Sequence, residues 1–350
     1  MKWVQYLHQS VTNAWYRKST QWTLGLLPLS ALFRYLAERR KKRYLQSSLW
    51  QPPVPIVVVG NISVGGTGKT PVVAALVRVF EEVGLKPGVI SRGFGAKGAV
   101  RPVTVLPDSD PALVGDEPVM LSNQLNIPLV VDPNRVLAAQ YLLSHHQCDV
   151  ILADDGLQHY ALQRDVEVVV IDGERMLGNG YCLPAGPLRE SLARLHTVDA
   201  VLVNGGIQNT WPKRVKPVDT HDFHLCPDRL QSVNPHSVGL EPQKGTVHAV
   251  AGIGNPERFF RSLTVLGYDV IPHPFPDHHG FVEDDILFDD SWPVIMTAKD
   301  AIKCRRFASE KHWYLPVTAQ LPEPLVTSLV HRVHAVRKAK GKARVEGGLE

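Results

Sequence analysis

The residues with the most specific chemistry form a glycine-rich run at positions 64 to 70, which we call the phosphate loop. Its three glycines allow the backbone to turn N–H groups toward a polyphosphate with no Cβ in the way. Lys69 is placed to reach the β- and γ-phosphates, and Thr70 to hold Mg²⁺ through its hydroxyl. The run therefore predicts a site for MgATP or MgGTP. The predicted nucleotide-binding residues of the loop are Val64, Gly65, Gly66, Thr67, Gly68, Lys69 and Thr70.

Two predicted elements position this loop. Ile56 to Val59 is an apolar, β-branched run typical of a parallel strand that is buried on both faces. Val72 to Phe80 continues the loop as a predicted helix, whose N-terminus adds partial positive charge. The loop departs from the usual Gly-x-x-x-x-Gly-Lys-[Ser/Thr] pattern, because Ser63 replaces the first glycine. The order strand, loop, helix is nevertheless the context that a phosphate loop requires.

A second set of candidates follows an apolar run at positions 150 to 153. Asp154 and Asp155 end this run, as in a Walker B strand, whose carboxylate reaches Mg²⁺ directly or through water. Gln158 and His159 extend the same loop into the presumed cleft. This pattern predicts that the two carboxylates lie beside the bound phosphates.

Two arginines and a pair of acids lie on other predicted loops. Arg92 follows a predicted strand from Lys86 to Ser91, and ligands of open α/β sheets bind beyond such strand ends. Arg189 lies in a long loop that is rich in Gly and Pro, which is more often functional than idle. Asp116 and Glu117 precede a predicted helix, so they serve either as helix caps or as a general base and a metal contact.

Asp277, His278 and His279 are consecutive residues of another predicted loop. Adjacent loop residues rarely ligate one ion together, and no third ligand is close in the sequence, so a metal site is disfavoured. An Asp–His pair that supports an acid or a base is better motivated. Asp116 and His278 are therefore the two candidates for the base of a phosphoryl transfer.

The composition indicates a globular chain of about two domains, since it has 350 residues of which 44% are hydrophobic. The four cysteines are widely spaced and form no Cys-x-x-Cys pair, which argues against a zinc site or a disulfide framework and suits a reducing cytosol. They are Cys148, Cys182, Cys226 and Cys304.

The net charge of +4 is unevenly distributed. The first 50 residues contain nine of the 38 Lys and Arg but one of the 34 acids, so the other 300 residues carry a net charge of −4. A slightly acidic body argues against nucleic-acid binding as its function. The sequence also indicates no obligate protein partner.

The basic N-terminus resembles an interfacial membrane anchor. Its best apolar stretch, Leu24 to Leu36, is interrupted by Pro28 and Arg34, and it falls short of the roughly 20 apolar residues of a membrane span. Arg39 to Arg43 could bind anionic headgroups, at about 1 kcal/mol per charge. The alternative is a helix that packs on the body of the protein. The aromatic residues that favour an interface are Trp3, Tyr6, Trp15, Tyr16, Trp22, Phe33 and Tyr35.

Repeated strand and helix patterns predict an α/β fold, with a parallel sheet of the P-loop NTPase type and helices on both faces. We expect an N-terminal amphipathic, membrane-associating helical segment at 1–50 and the P-loop domain at 51–207. A polar linker with five prolines follows at 208–244, and a smaller C-terminal α/β domain with a helical tail at 245–350.

The spacing of these residues leaves the phosphoryl acceptor open, since water, a protein and a small molecule all fit. A GTPase of the metallochaperone type should carry a guanine-reading Asn-Lys-x-Asp, of which residues 204–206 and 297–300 are poor versions. A ParA-like ATPase would carry Lys in place of Val64. A non-catalytic membrane adaptor would not need the full set of acids.

Six motifs in order closely resemble those of the tetraacyldisaccharide 4'-kinase family, the lipid A 4'-kinases. The resemblance covers the chain from about Tyr16 to beyond Lys299, and the phosphate loop of that family also lacks the first glycine. The motifs are VGNISVGGTGKTP at 59–71, SRGFG at 91–95, VGDEP at 114–118, DDGLQH at 154–159, LPAGPLRE at 183–190 and FPDHH at 275–279.

The resemblance implies that the γ-phosphate of ATP is transferred, with Mg²⁺, to the 4'-hydroxyl of a tetraacylated glucosamine disaccharide 1-phosphate. The product would be lipid IVA, an intermediate of lipid A and lipopolysaccharide biosynthesis. The enzyme would be peripheral or monotopic on the cytoplasmic side of a Gram-negative inner membrane, and it would have two α/β domains joined by a strand linker.

The resemblance also implies roles for individual residues. Asp116 is the implied base, and His278 is implied to assist it across the cleft between the domains. Arg92 and Arg189 resemble the phosphate-facing arginines of the family, and Lys69 and Arg189 are expected to take part in catalysis. The implied Mg²⁺ group is Thr70, Glu117, Asp154 and Asp155. The implied cleft residues are Asn61, Gln158, His159 and Asp277.

Overall fold

A computed structural model of the chain describes residues 11–16, 22–46, 49–93, 101–207, 211, 219–234 and 241–346. Two of the predicted interfacial aromatic residues, Trp3 and Tyr6, lie outside the described residues. So do Phe94 and Gly95 of the SRGFG motif and the linker positions 208–210, 212–218 and 235–240.

Fourteen strands occur in the part of the chain that the structure describes. They are short, and six of them are fully buried, as central strands of parallel sheets require. The strands are β1 Ile56–Gly60, β2 Pro87–Ser91, β3 Val103–Thr104, β4 Leu129–Val131, β5 Val150–Asp154, β6 Val166–Asp172, β7 Ala200–Asn204, β8 Thr220–Pro227, β9 Gln231–Ser232, β10 Thr246–Ala251, β11 Asp269–Pro274, β12 Val294–Thr297, β13 His312–Leu315 and β14 Val317–Gln320.

The α-helices alternate with these strands over most of the chain. Residues 11–16 are also helical. Within the described ranges, three short 3₁₀ helices lie at Trp22–Leu26, Leu192–His196 and Glu283–Asp285. The α-helices are α1 Leu27–Leu45, α2 Lys69–Glu82, α3 Pro111–Val114, α4 Asp116–Gln124, α5 Arg135–His145, α6 Pro256–Val265, α7 Ala298–Cys304 and α8 Glu323–Glu346.

The chain forms two compact units. The first unit comprises Met1–Arg92, Ile127–His224 and Ala319–Glu350, and the second comprises Gly93–Asn126 and Leu225–Thr318. The sheet of the first unit contains parallel strands in the order β8-β7-β6-β1-β5-β2-β4. Because β1 and β5 are neighbours, the loops that follow them leave the same carboxyl edge of the sheet.

The second unit has its own five-stranded sheet, in the order β11-β10-β12-β13-β9. Its strands are parallel except β9, which pairs antiparallel with β13. Two apolar clusters, one containing Phe259, Phe260 and Trp313 and the other containing Phe281 and Met296, form its core. The predicted α/β class and parallel sheet are confirmed.

The units divide the chain differently from the sequence-based boundaries in two places. Residues 93–126, predicted in the P-loop domain, belong to the second unit, where Asn123 accepts a hydrogen bond from Arg305 at 3.1 Å. Helix α8, predicted in the C-terminal domain, belongs to the first unit, where Lys340 pairs with Asp165 at 2.7 Å. Both segments join residues far away in sequence, which composition along the chain does not show.

The predicted linker and N-terminal segment are partly regular structure. Strands β8 and β9 fall within 208–244, and β8 pairs with β7 in the sheet of the first unit. Helix α1 spans most of the predicted anchor. Among the described residues, no helix combines the length and the apolar character that crossing a membrane requires.

Candidate active site

The phosphate loop connects β1 to α2 in the first unit. Gly65 and Gly68 have φ of 102° and 94°, a left-handed backbone that only glycine adopts without strain. Side chains hold the carbonyls of the loop in place: Asn61 Nδ2 donates to Gly65 O at 3.3 Å, and Asn204 Nδ2 donates to Thr67 O at 3.1 Å. The predicted strand, loop and helix arrangement is therefore confirmed.

Lys69 and Arg189 both contact Asp155. Lys69 Nζ lies 3.6 Å from Asp155 Oδ1, and Arg189 Nη1 donates to both carboxylate oxygens at 3.2 and 3.1 Å. Burial alone raises the pKa of Asp155, but the two cations lower it below the ordinary carboxyl value. The Asp155 backbone is left-handed, with a φ of 47°. Such strain is characteristic of functional positions.

Asp154 ends β5 directly beside β1, where it pairs in register with Val59. Asp154 and Thr70 are 1% and 7% exposed. Carboxylate and hydroxyl oxygens are ligands that suit Mg²⁺, which usually takes one or two carboxylates and completes its shell with phosphate oxygens and waters. The described residues contain no group of three or more His, Cys, Asp or Glu that could hold a metal ion.

The predicted cleft residues of the first unit have structural partners. Gln158 Nε2 donates to Asn61 O at 2.9 Å and to Glu190 Oε1 at 2.8 Å, which fixes the start of the loop after β5. His159 is surrounded by arginines, and burial together with Arg135 lowers its pKa to about 4, so it is neutral at physiological pH. Arg92 follows β2 and is exposed.

Asp116 and His278 meet within the second unit. His278 Nδ1 lies 3.6 Å from Asp116 Oδ2, and Lys303 Nζ lies 3.8 Å from the same oxygen. Burial raises the pKa of Asp116, but His278, Lys303 and Lys299 lower it below the ordinary carboxyl value. The expectation that Asp116 and His278 face each other from two different domains is therefore wrong, because α4 belongs to the same unit as the His278 loop.

Lys299 joins two of the other predicted residues. Its Nζ lies 3.2 Å from Glu117 Oε1 and 3.1 Å from Asp277 Oδ1. It also lies 3.4 Å from His278 Nε2. Burial lowers the pKa of Lys299, but the two carboxylates raise it well above the ordinary value, so the side chain stays charged. Glu117 is thus paired with a lysine, and its role as a Mg²⁺ contact stays a prediction.

Sequence reasoning missed Lys299, Lys303 and Asn204 as members of these clusters. Residues 297–300, a poor match to the guanine-reading motif, span the end of β12 and the start of α7. Thr297 Oγ1 caps that helix by accepting from Asp300 N at 3.2 Å, and Asp300 Oδ2 accepts from Gly252 N at 2.8 Å. A lysine after a strand carries no local signal that distinguishes it from a solvated lysine.

Comparison with known proteins identifies the family. A model of the Tetraacyldisaccharide-1-P 4'-kinase family matches residues 22–334. The chain belongs to this family. It is 45% identical over 338 residues to a tetraacyldisaccharide 4'-kinase from Nitrosococcus oceani, covering 94% of this chain and 96% of the relative. It is 49% identical over 320 residues to the protein of that name from Alkalilimnicola ehrlichii, covering 89% and 92%.

The fold of this tetraacyldisaccharide-1-P 4'-kinase family member is also that of a solved relative. A crystal structure of LpxK from Aquifex aeolicus in complex with ATP aligns with a TM-score of 0.72 at 24% identity, covering 89% of this chain and 99% of the relative. The likeness extends over nearly the whole relative, so both units are part of the shared fold.

Proposed function

We propose that the protein transfers the γ-phosphate of ATP to the 4'-hydroxyl of a tetraacyl glucosamine disaccharide 1-phosphate, which yields lipid IVA in lipid A biosynthesis. The names of relatives that match over nine tenths of their length support this assignment. In the reaction the acceptor oxygen bonds to the γ-phosphorus, the bond to the β-phosphate oxygen breaks, and ADP leaves.

The observation that carries the proposal is the Asp116 carboxylate held by His278 and Lys303. A protein that only binds and hydrolyses nucleotide has no alcohol acceptor to deprotonate. A kinase with an alcohol acceptor needs a group that accepts the proton of the acceptor hydroxyl. Since the pKa of Asp116 is lowered, its carboxylate is ionised at neutral pH, and its oxygens can accept that proton. His278, 3.6 Å away, orients the carboxylate and can share the proton with it.

The first unit would bind the nucleotide. Lys69 would neutralise the β- and γ-phosphates, and Arg92 and Arg189 would compensate charge on the transferred group. Thr70, Asp154 and Asp155 would hold Mg²⁺, which when bound neutralises phosphate charge. Asp155 already holds Lys69 and Arg189 in place before phosphate arrives.

The test is transfer of ³²P from labelled ATP to purified tetraacyl disaccharide 1-phosphate, separated by thin-layer chromatography. Wild type should label the lipid, and Asp116→Ala should not, while both should bind ATP. The alternative function is a P-loop ATPase or GTPase of the ParA or metallochaperone type. Nucleotide hydrolysis by wild type without any labelled lipid would favour that alternative and contradict the kinase.

We also propose that α1 and the 3₁₀ helix before it bind the cytoplasmic face of the inner membrane, as a peripheral or monotopic contact. Leu29, Leu32 and Leu36 follow the i, i+3, i+7 spacing of one helix face and are each more than half exposed. Trp22 and Tyr35 are also more than half exposed. Arg39 to Arg43 follow at the end of this surface, where anionic headgroups would attract them.

Sedimentation with vesicles that contain phosphatidylglycerol tests the membrane contact. Changing Leu29, Leu32 and Leu36 together to Gln should release the protein from the vesicles. The control is Leu137→Gln, which alters a comparably exposed leucine on α5. Equal sedimentation of the triple variant and wild type would contradict the proposed surface.

A further inference from the structure

The helical residues 11–16 contact the phosphate loop itself. Tyr16 Oη donates a hydrogen bond to Val64 O at 3.4 Å. The Arg175 guanidinium lies over the Tyr16 ring, 5.4 Å from its centroid. Arg175 Nη1 is also 3.6 Å from the position that a Cβ on Gly65 would occupy. Tyr16 and Arg175 therefore adjoin the first two residues of the loop.

The contact has a physical reason in the geometry of the phosphate loop. When a loop turns its N–H groups toward phosphate, its carbonyls point away and need donors. Asn61 supplies a donor to Gly65 O, and Asn204 supplies one to Thr67 O. Tyr16 supplies the donor for Val64 O. Burial raises the pKa of the Tyr16 hydroxyl to about 12, so it keeps its proton at physiological pH.

Tyr16 is held in place by contacts of its neighbour with residues 178–188, which we call the bridging loop. Trp15 is 8% exposed. Its indole Nε1 donates to Pro184 O at 3.1 Å, and its carbonyl accepts from Asn179 N at 2.9 Å. Ser30 Oγ of α1 donates to Cys182 O at 2.8 Å. Three hydrogen bonds thus fix the N-terminal elements on the bridging loop.

The bridging loop is in turn bonded to the phosphate loop. Val64 N donates to Pro187 O at 2.9 Å, and Ser63 forms a β-bridge with Leu188. Arg189, directly after the bridging loop, donates from its backbone N to Ile62 O at 2.7 Å. Val64 is consequently held by its N–H through the bridging loop and by its carbonyl through Tyr16.

We propose that Tyr16 is a positioning residue for the phosphate loop, through which the docked N-terminal segment sets the affinity for nucleotide. The role rests on the nucleotide binding proposed above. Tyr16 touches no reacting atom; it acts by holding Val64 O, so that the loop is ordered before phosphate binds. Loss of its hydroxyl should weaken nucleotide binding and leave the later chemical step unchanged.

The test compares Tyr16→Phe with Tyr268→Phe. Tyr268 is a matched control in the second unit, because its hydroxyl also donates to a backbone carbonyl, Pro242 O, at 3.4 Å and its ring also lies under a cation, Lys244. Calorimetry with ATPγS and Mg²⁺ measures nucleotide affinity without any lipid acceptor. Thermal unfolding measures stability, and steady-state kinetics separate kcat from KM.

Tyr16→Phe should bind ATPγS about fivefold more weakly, the loss expected for one neutral hydrogen bond, with an unchanged kcat. Tyr268→Phe should bind it as wild type does. Unchanged affinity in Tyr16→Phe would overturn the inference, as would equal losses in both variants. If wild type itself failed to bind ATPγS, the proposed function would fail. That result differs from equal binding by wild type and Tyr16→Phe, which overturns only the role of Tyr16.

Discussion

His278 Nδ1 lies 3.6 Å from Asp116 Oδ2, although 162 positions separate the two residues. The backbone at His278 is left-handed, with a φ of 61°, and its N–H donates to Asp277 Oδ1 at 3.0 Å. Asp277 thus holds the turn through the backbone of His278, while the imidazole of His278 approaches the Asp116 carboxylate. The Asp116–His278 pair is therefore arranged as a general base before substrate binds. The residues around it can be tested individually.

Asp116→Asn should lower kcat about 10²- to 10⁴-fold, because the amide cannot accept the proton of the acceptor hydroxyl. Nucleotide affinity should be unchanged, because Asp116 does not belong to the phosphate loop. The measurement is ³²P transfer at saturating lipid together with ATPγS calorimetry. Asp108→Asn, at an exposed position, is the control. Turnover close to wild type in Asp116→Asn would rule out Asp116 as the base.

The pH dependence of kcat/KM should respond to Lys303. Lys303 is one of the groups that lower the pKa of Asp116, so Lys303→Met should raise that pKa toward the ordinary value of about 3.9. Asp116 accepts a proton only as the carboxylate, so activity falls as pH falls through its pKa. The acid limb of the profile should consequently move to higher pH in Lys303→Met. Lys338→Met, on exposed α8, should leave the limb in place.

Lys299→Met should destabilise the fold by about 1–3 kcal/mol at neutral pH, because it leaves Glu117 and Asp277 without their shared cation. The Asp277 pKa is lowered, despite burial that raises it, mainly by Lys299. The contribution of the Asp277–Lys299 pair to the free energy of unfolding is therefore complete above the ordinary carboxyl pKa. It is lost as the pH falls through the lowered pKa of Asp277. Urea unfolding of both proteins at several pH values measures this. A difference in the free energy of unfolding between wild type and Lys299→Met that stayed constant into strong acid would contradict the pairing.

Asp155→Asn should keep the fold, since Asn tolerates the left-handed backbone of this position. The change removes the charge that Lys69 and Arg189 share, so both cations become available to phosphate. ADP without Mg²⁺ should therefore bind several-fold more tightly than to wild type, while Mg²⁺-dependent turnover falls. Calorimetry with ADP in EDTA and the ³²P assay give the two readouts. Equal ADP affinity in wild type and Asp155→Asn would show that Asp155 does not compete for these cations.

Ser63→Gly restores the first glycine of the usual phosphate-loop pattern. Ser63 is 3% exposed and pairs with Leu188, so glycine there should cost roughly 0.5–1 kcal/mol of stability through backbone entropy. It should not improve nucleotide binding, because the left-handed positions of the loop are already glycines at Gly65 and Gly68. Thermal unfolding and ATPγS affinity measure the two effects. Tighter ATPγS binding by Ser63→Gly than by wild type would show that Ser63 weakens nucleotide binding.

The local parts of the fold and site could be predicted because each depends on residues that are adjacent in the sequence. The phosphate loop, its strand and helix, and the carboxylates after β5 depend on backbone conformation and apolar patterning within short windows. The six motifs indicated the family, because their order along the chain is specific even where a single motif is ambiguous. As predicted, Lys69 and Thr70 lie where the loop after β1 leads into a helix, and Asp154 and Asp155 lie at the end of β5.

Contacts across long sequence separations were decided only by the tertiary structure. Nothing local shows that Lys299 pairs with Glu117, 182 positions earlier, or that Asp116 shares a unit with His278. The same holds for Tyr16, whose aromatic ring was interpreted as an interfacial residue but whose hydroxyl holds Val64 O. Sequence determines which chemical groups are present and how each local segment bends. Packing of distant segments determines which groups meet, because burial and charge pairing act through space and are independent of chain order.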